Sequence, residues 1–247
     1  MRGRRLFIIE STSWLLGASL CEGSAWAQNP SSATLPSGIG IEPDFEGPVP
    51  PLGGVLGKSP ALKKEQQTAR AVLAKAPKGP APLNVATYFL AVGNGDYGAN
   101  WKPYVKGWPE RWNPVIVSFF QATRTNPEGD VTSWCAAFLN WCFQQVNSVP
   151  ATASASSGSF RSFGTETSSP AKGDIVVFQS TNPVEAAAGH GHVGFFVADY
   201  GEEVDVLGGN QIEGHERSHM VSSKRLKKNG PILKLHSYRT DSRLRSS

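Results

Sequence analysis

Cysteine, charge and long apolar runs are all scarce in this chain of 247 residues, and each scarcity excludes something. Three cysteines cannot staple a disulfide scaffold. Charged residues make up 18%, too few for a coiled coil. No uninterrupted apolar run approaches the ~18 residues of a spanning helix. What is present suffices to fold. Hydrophobic residues at 39% and aromatics at 10% can build a core, so wholesale disorder is excluded. The length suits one ordinary domain with extensions, or two small ones.

The net charge of +4 is unevenly spread. Residues 1–27 carry +1 and residues 222–247 carry +7, which leaves residues 28–221 at −4. The basic character belongs to one end, where it suits nucleic acid, an anionic membrane or an anionic wall polymer. The run Lys224–Lys228 has no interleaved aromatics and no recognised fold motif, which argues against nucleic acid.

The N-terminus reads as an export signal. Arg2, Arg4 and Arg5 precede an apolar stretch from Leu6 through Leu20 that Glu10 interrupts, and Ala25-Trp26-Ala27 offers a small-x-small cleavage site. Residues 1–27 are therefore expected to be a signal peptide, with a periplasmic or extracellular destination. The mature chain would have no transmembrane segment. Residues 28–60 hold 7 prolines and 6 glycines and read as a flexible arm.

Helical patterning follows. Ser59-Pro60 is placed to open a helix over 61–76 that Pro77 stops, so 61–82 reads as a helix and linker. Further helices are expected at 85–92, at 115–123 behind an Asn113 cap, and at 131–147, with Asp130, Thr132 or Ser133 as the last one's cap. The Ser/Gly-rich stretch 151–169 reads as a loop with a turn at 160–163. Apolar β-type runs then occupy 175–178, 192–197, 204–207, 220–222 and 232–238. Helices first and a strand meander second imply an α+β fold with an antiparallel sheet.

The chemistry concentrates at two points. Cys135 falls in the first turn of the 131–147 helix, where unpaired N–H groups and the helix dipole favour a thiolate. It can serve as a nucleophile or as a small buried hydrophobe. Cys142 lies seven residues on, about 10 Å of helical rise away at ~1.5 Å per residue. A disulfide needs Cα atoms within about 7 Å, so the two are not expected to pair. His192 opens the most apolar strand and can act as a base. His190, beside it in a glycine loop, is expected to face solvent, and no further ligand at suitable spacing supports a metal site. Asn210, after Gly208-Gly209, can orient the imidazole or simply serve the turn.

At these residues the chain resembles the CHAP family, the cysteine, histidine-dependent amidohydrolases/peptidases of the NlpC-like papain-fold group. The matching blocks stand in order: Asn113-Pro-Val-Ile-Val-Ser-Phe-Phe120, Ser133-Trp-Cys-Ala-Ala-Phe-Leu-Asn-Trp-Cys142, Arg161-Ser-Phe163, Pro170-Ala-Lys-Gly-Asp-Ile-Val-Val-Phe178, Gly191-His-Val-Gly-Phe195 and Val206-Leu-Gly-Gly-Asn-Gln211. They place a domain at 83–240, with a basic tail at 241–247. The resemblance implies a papain-like fold in which N-terminal helices pack on an antiparallel sheet. It implies Cys135 as nucleophile, His192 as base and Asn210 as the third polar residue. Ser133, Trp134 and Gln211 are the further residues for the oxyanion and substrate. The family often has an acidic residue just before the third position, where this chain has Gly208-Gly209, so the orientation of His192 falls to Asn210 or Gln211. The implied substrate is an amide bond in peptidoglycan, cut without cofactor or metal. Two other uses of the same fold are a non-catalytic wall-binding module and a secreted antibacterial murein hydrolase.

Overall fold

The structure is a computed structural model that describes residues 59–213 and 218–245. The expected signal and nearly all of the expected arm lie outside the described residues. Among those described, no helix is long and apolar enough to cross a membrane.

Helices lead, as their caps dictate. α1 (Lys63–Lys75) starts two residues later than expected, because Ser59 is committed elsewhere: it bridges Arg111, and its carbonyl accepts from Trp112 N at 2.9 Å. Glu65 caps α1 instead, its carboxylate accepting from Leu62 N at 2.7 Å. α2 (Pro82–Asn94) begins on a proline and ends at Gly95, whose φ of 98° only glycine adopts readily. α3 (Pro114–Phe119) is capped by Asn113, whose side-chain oxygen accepts from Val115 N at 2.9 Å. α4 (Cys135–Asn147) starts four residues inside its expected span. Two of the three expected caps serve other segments. Asp130 accepts instead from Trp108 N and Asn113 N, and Thr132 Oγ1 from Glu128 N. Cys135 is thereby the first helical residue.

The second half is a six-stranded antiparallel sheet: β1 (Thr165–Thr167), β2 (Ile175–Ser180), β3 (Gly191–Asp199), β4 (Glu203–Glu213), β5 (Ser218–Lys227) and β6 (Leu233–Thr240), in the order β1-β6-β2-β3-β4-β5. β1 and the short helix α5 (Pro183–Ala187) were not expected from the sequence. The strand is only three polar residues long. The helix repeats the Asn-Pro signal of α3, since Asn182 caps it as Asn113 caps α3.

Two cores hold the domain. Helices α1 to α4 cover one sheet face, with Phe89, Phe119, Phe138 and Trp141 packed edge to face among themselves in one core with Val177, Val193, Phe195 and Leu207. Ala69 and Val72 of α1 belong to this same core, and Tyr88 of α2 donates to the Val72 carbonyl at 2.7 Å. The other face folds on itself: the end of β5 reaches β6, with Leu235 N donating to Lys228 O at 2.7 Å. Val176, Phe178, Phe196, Val206, Leu226 and Leu233 fill the interior so formed. The fold is α+β and papain-like.

The basic tail is held against the domain through residue 245. Leu244 is 3% exposed and packed in the first core, Arg243 pairs with Asp241, and Arg245 pairs with the buried Asp174.

Candidate active site

The site forms where α4 packs against β3 and β4. Trp134 precedes the helix, and its ring packs against Gly209 of β4. A Cβ added at Gly209 would overlap that ring, so this position tolerates glycine alone. The Gly208-Gly209 pair expected to form a turn therefore stays inside β4 as a packing surface. The register with β5 slips between Gly208 and Gln211, and Asn210 takes the slack with φ of 62°, a left-handed conformation that asparagine tolerates.

Cys135 is 1% exposed at the N-terminal end of α4, where helical N–H groups lack intrahelical acceptors. Cys142, two turns deeper, is fully buried and separate from it. Burial pushes the Cys142 thiol well above the usual range, so it is an inert core residue.

His192 stands opposite Phe178 near the start of β3 and is 2% exposed. Burial, then the positive charge of Lys224, lowers its pKa to about 4. The ring is neutral at physiological pH. Its hydrogen-bond partner is the amide of Gln211, with Nε2 to Nε2 at 3.2 Å. That amide is itself held, because Ser222 Oγ donates to Gln211 Oε1 at 2.8 Å. Ser222, on β5, was not among the expected site residues. Ser222, Lys224 and Leu226 share one face of β5, but only the pairing of β5 with β4 brings Ser222 to Gln211.

Of the two amides offered as partner to His192, Gln211 is thus the one bonded to the ring. Asn210 is buried, but its side-chain nitrogen has no hydrogen-bond partner and its backbone interacts with the His219 ring. Its place in the register slip explains the difference. Ser133 and Trp134 sit directly before Cys135, both buried, and the Trp134 indole N–H has no acceptor. His190 does not face solvent as expected. It is buried, because its carbonyl is drawn in by Ser180 N and by Arg161. His215 lies outside the described residues. No cluster of metal-ligating side chains occurs among the described residues.

Residues 125–210, which run from just before α4 to the bulge of β4, match the model of the CHAP domain family. The stretch that carries both Cys135 and His192 is thus similar to a CHAP domain. The match takes in Cys135, His192 and Asn210 and stops one residue short of Gln211. CHAP domains belong to the papain-like NlpC/CHAP cysteine-peptidase superfamily, which agrees with the observed fold. The CHAP domain points to peptidoglycan hydrolase or amidase activity. No curated protein and no solved structure matches the chain.

Proposed function

We propose that the chain is an exported, cysteine-dependent peptidoglycan amide hydrolase, an amidase or an endopeptidase. The observation that carries the proposal is the placement of Cys135. It is the first residue of a helix packed on the strands of His192 and Gln211, inside the segment that matches the CHAP domain. Cys135 attacks the carbonyl of a wall amide as its thiolate, with His192 taking the thiol proton. The tetrahedral oxyanion is met by the backbone N–H of Cys135 and a second donor at Ser133 or Trp134. His192 returns its proton to the leaving amine and then activates water, which releases the acyl-enzyme. Gln211 orients the imidazole, in the place sequence reading gave first to Asn210. The chemistry needs no metal or cofactor. Export rests on Arg2, Arg4 and Arg5, the apolar stretch after them and the Ala25-Trp26-Ala27 site.

Mass spectrometry of purified sacculi digested with the pure protein tests this reading. Stem peptides released from the sugar acid identify an amidase, and new termini within the stem or cross-bridge identify an endopeptidase. Sacculi left with no new amine termini would show the reading to be wrong and favour a wall-binding module.

A further inference from the structure

The amide of Gln211 has a direction that its neighbours fix. The side chain is fully buried, with Nε2 3.4 Å from the Val206 carbonyl and 3.2 Å from His192 Nε2, while Oε1 accepts from Ser222. A backbone carbonyl can only accept, so the amide atom facing Val206 is the NH2 group. Its second hydrogen then points at His192 Nε2, which must offer a lone pair. A neutral imidazole carries one N–H, so the proton of His192 sits on Nδ1.

Ser222 adds the second element. A hydroxyl donates or accepts, so it can hold either end of the amide. After a half-turn of the amide, Ser222 would accept from the NH2 group and Oε1 would accept from an N–H on His192 Nε2. That orientation sets Oε1 against the Val206 carbonyl, which disfavours it at rest. Gly208 leaves room beside both groups, since a Cβ there would stand 3.3 Å from Gln211 Nε2 and 3.4 Å from His192 Nε2.

We propose that Gln211, aimed by Ser222 and the Val206 carbonyl, decides which nitrogen of His192 carries the proton, making Gln211 and Ser222 positioning residues. At rest the proton is on Nδ1. The half-turned amide selects the tautomer protonated on Nε2, reached by proton exchange with water, whose Nδ1 lone pair can take the proton of a thiol. Burial and the charge of Lys224 on β5 keep the ring neutral, so the tautomer is the variable left to control. The catalytic meaning rests on the hydrolase reading above; the hydrogen-bond chemistry does not.

The test is 15N NMR of the full chain labelled at histidine, with the His192 signals identified by their loss in His192→Gln. The wild-type ring is expected to be neutral and protonated on Nδ1. Gln211→Glu, which presents only acceptors, should move the proton to Nε2. Ser222→Ala should change the tautomer ratio and Ser222→Thr restore it. A wild-type ring protonated on Nε2, or a ratio that Gln211→Glu leaves unmoved, overturns the proposal. On sacculi, Ser222→Ala should lower kcat by at most about 10²-fold, the lower end of what a positioned base contributes, with KM unchanged. If the tautomers behave as expected while hydrolysis survives Cys135→Ala, the hydrolase reading falls and the role of Gln211 stands.

Discussion

Acidification should unfold this domain partly through His192. The ring is 2% exposed and its pKa is held at about 4, against 6.5 for a solvated histidine. Below about pH 6.5 the unfolded chain binds a proton there that the folded chain refuses, so stability falls as pH drops toward 4 and levels off beneath it. At about 1.4 kcal/mol per tenfold, the whole effect is roughly 3 kcal/mol. That is a large fraction of the 5–15 kcal/mol typical of a domain. His192→Gln keeps a buried polar side chain and removes the titration. Urea denaturation of both proteins, followed by tryptophan fluorescence at several pH values, isolates the effect from other titrating groups such as the buried Asp130. Relative to the variant, the wild type should lose roughly 3 kcal/mol between about pH 7.5 and about pH 4. A gap constant within about 0.5 kcal/mol across that range would refute the reasoning, because His192 would then be ionised or open to water in the folded protein.

Three further outcomes follow from packing. Cys142→Ala should leave hydrolysis nearly intact and cost about 1 kcal/mol in denaturant midpoint, a typical core truncation; loss of activity would contradict its assignment to the core. Gly209→Ala should cost about 1–3 kcal/mol by forcing the Trp134 ring aside, read as a lowered Tm, and an unchanged Tm would show that the ring has room. Deleting residues 241–247 should lower stability by about 1.5–3 kcal/mol through loss of the buried Leu244 alone; a change confined to the salt dependence of wall binding would show that this end only docks.

The order of elements was legible because local rules and tertiary packing agree over most of the chain. Asn113 caps the helix that Pro114 opens, and the apolar runs at 175–178 and 192–197 became central strands. Boundaries failed where a residue was recruited from afar. Ser59 looked like a cap and became a bridge to Arg111. Asp130 looked like a cap for α4 and instead ties the 108–113 segment by two backbone N–H groups. The basic end was read from its charge, which dominates its composition, while its packing rests on Leu244.

At the site, the sequence pattern pointed to Cys135 and His192, and α4 packs against the strand that carries His192. It could not rank Asn210 over Gln211, since one residue of register in a strand exchanges the two sheet faces. Across the slip between Gly208 and Gln211, where Trp134 packs on Gly209, it is Gln211 whose amide meets the imidazole. Ser222 lay hidden for the same reason: its contact with Gln211 depends on the pairing of β4 with β5.

The central claim is that one thiol does the chemistry, and hydrolysis of purified sacculi by wild-type protein beside Cys135→Ala measures it most directly. With the variant shown to be folded by its denaturation curve, the account predicts release of soluble wall fragments by the wild type and none above background by Cys135→Ala. Fragment release by pure Cys135→Ala at the wild-type rate would contradict it.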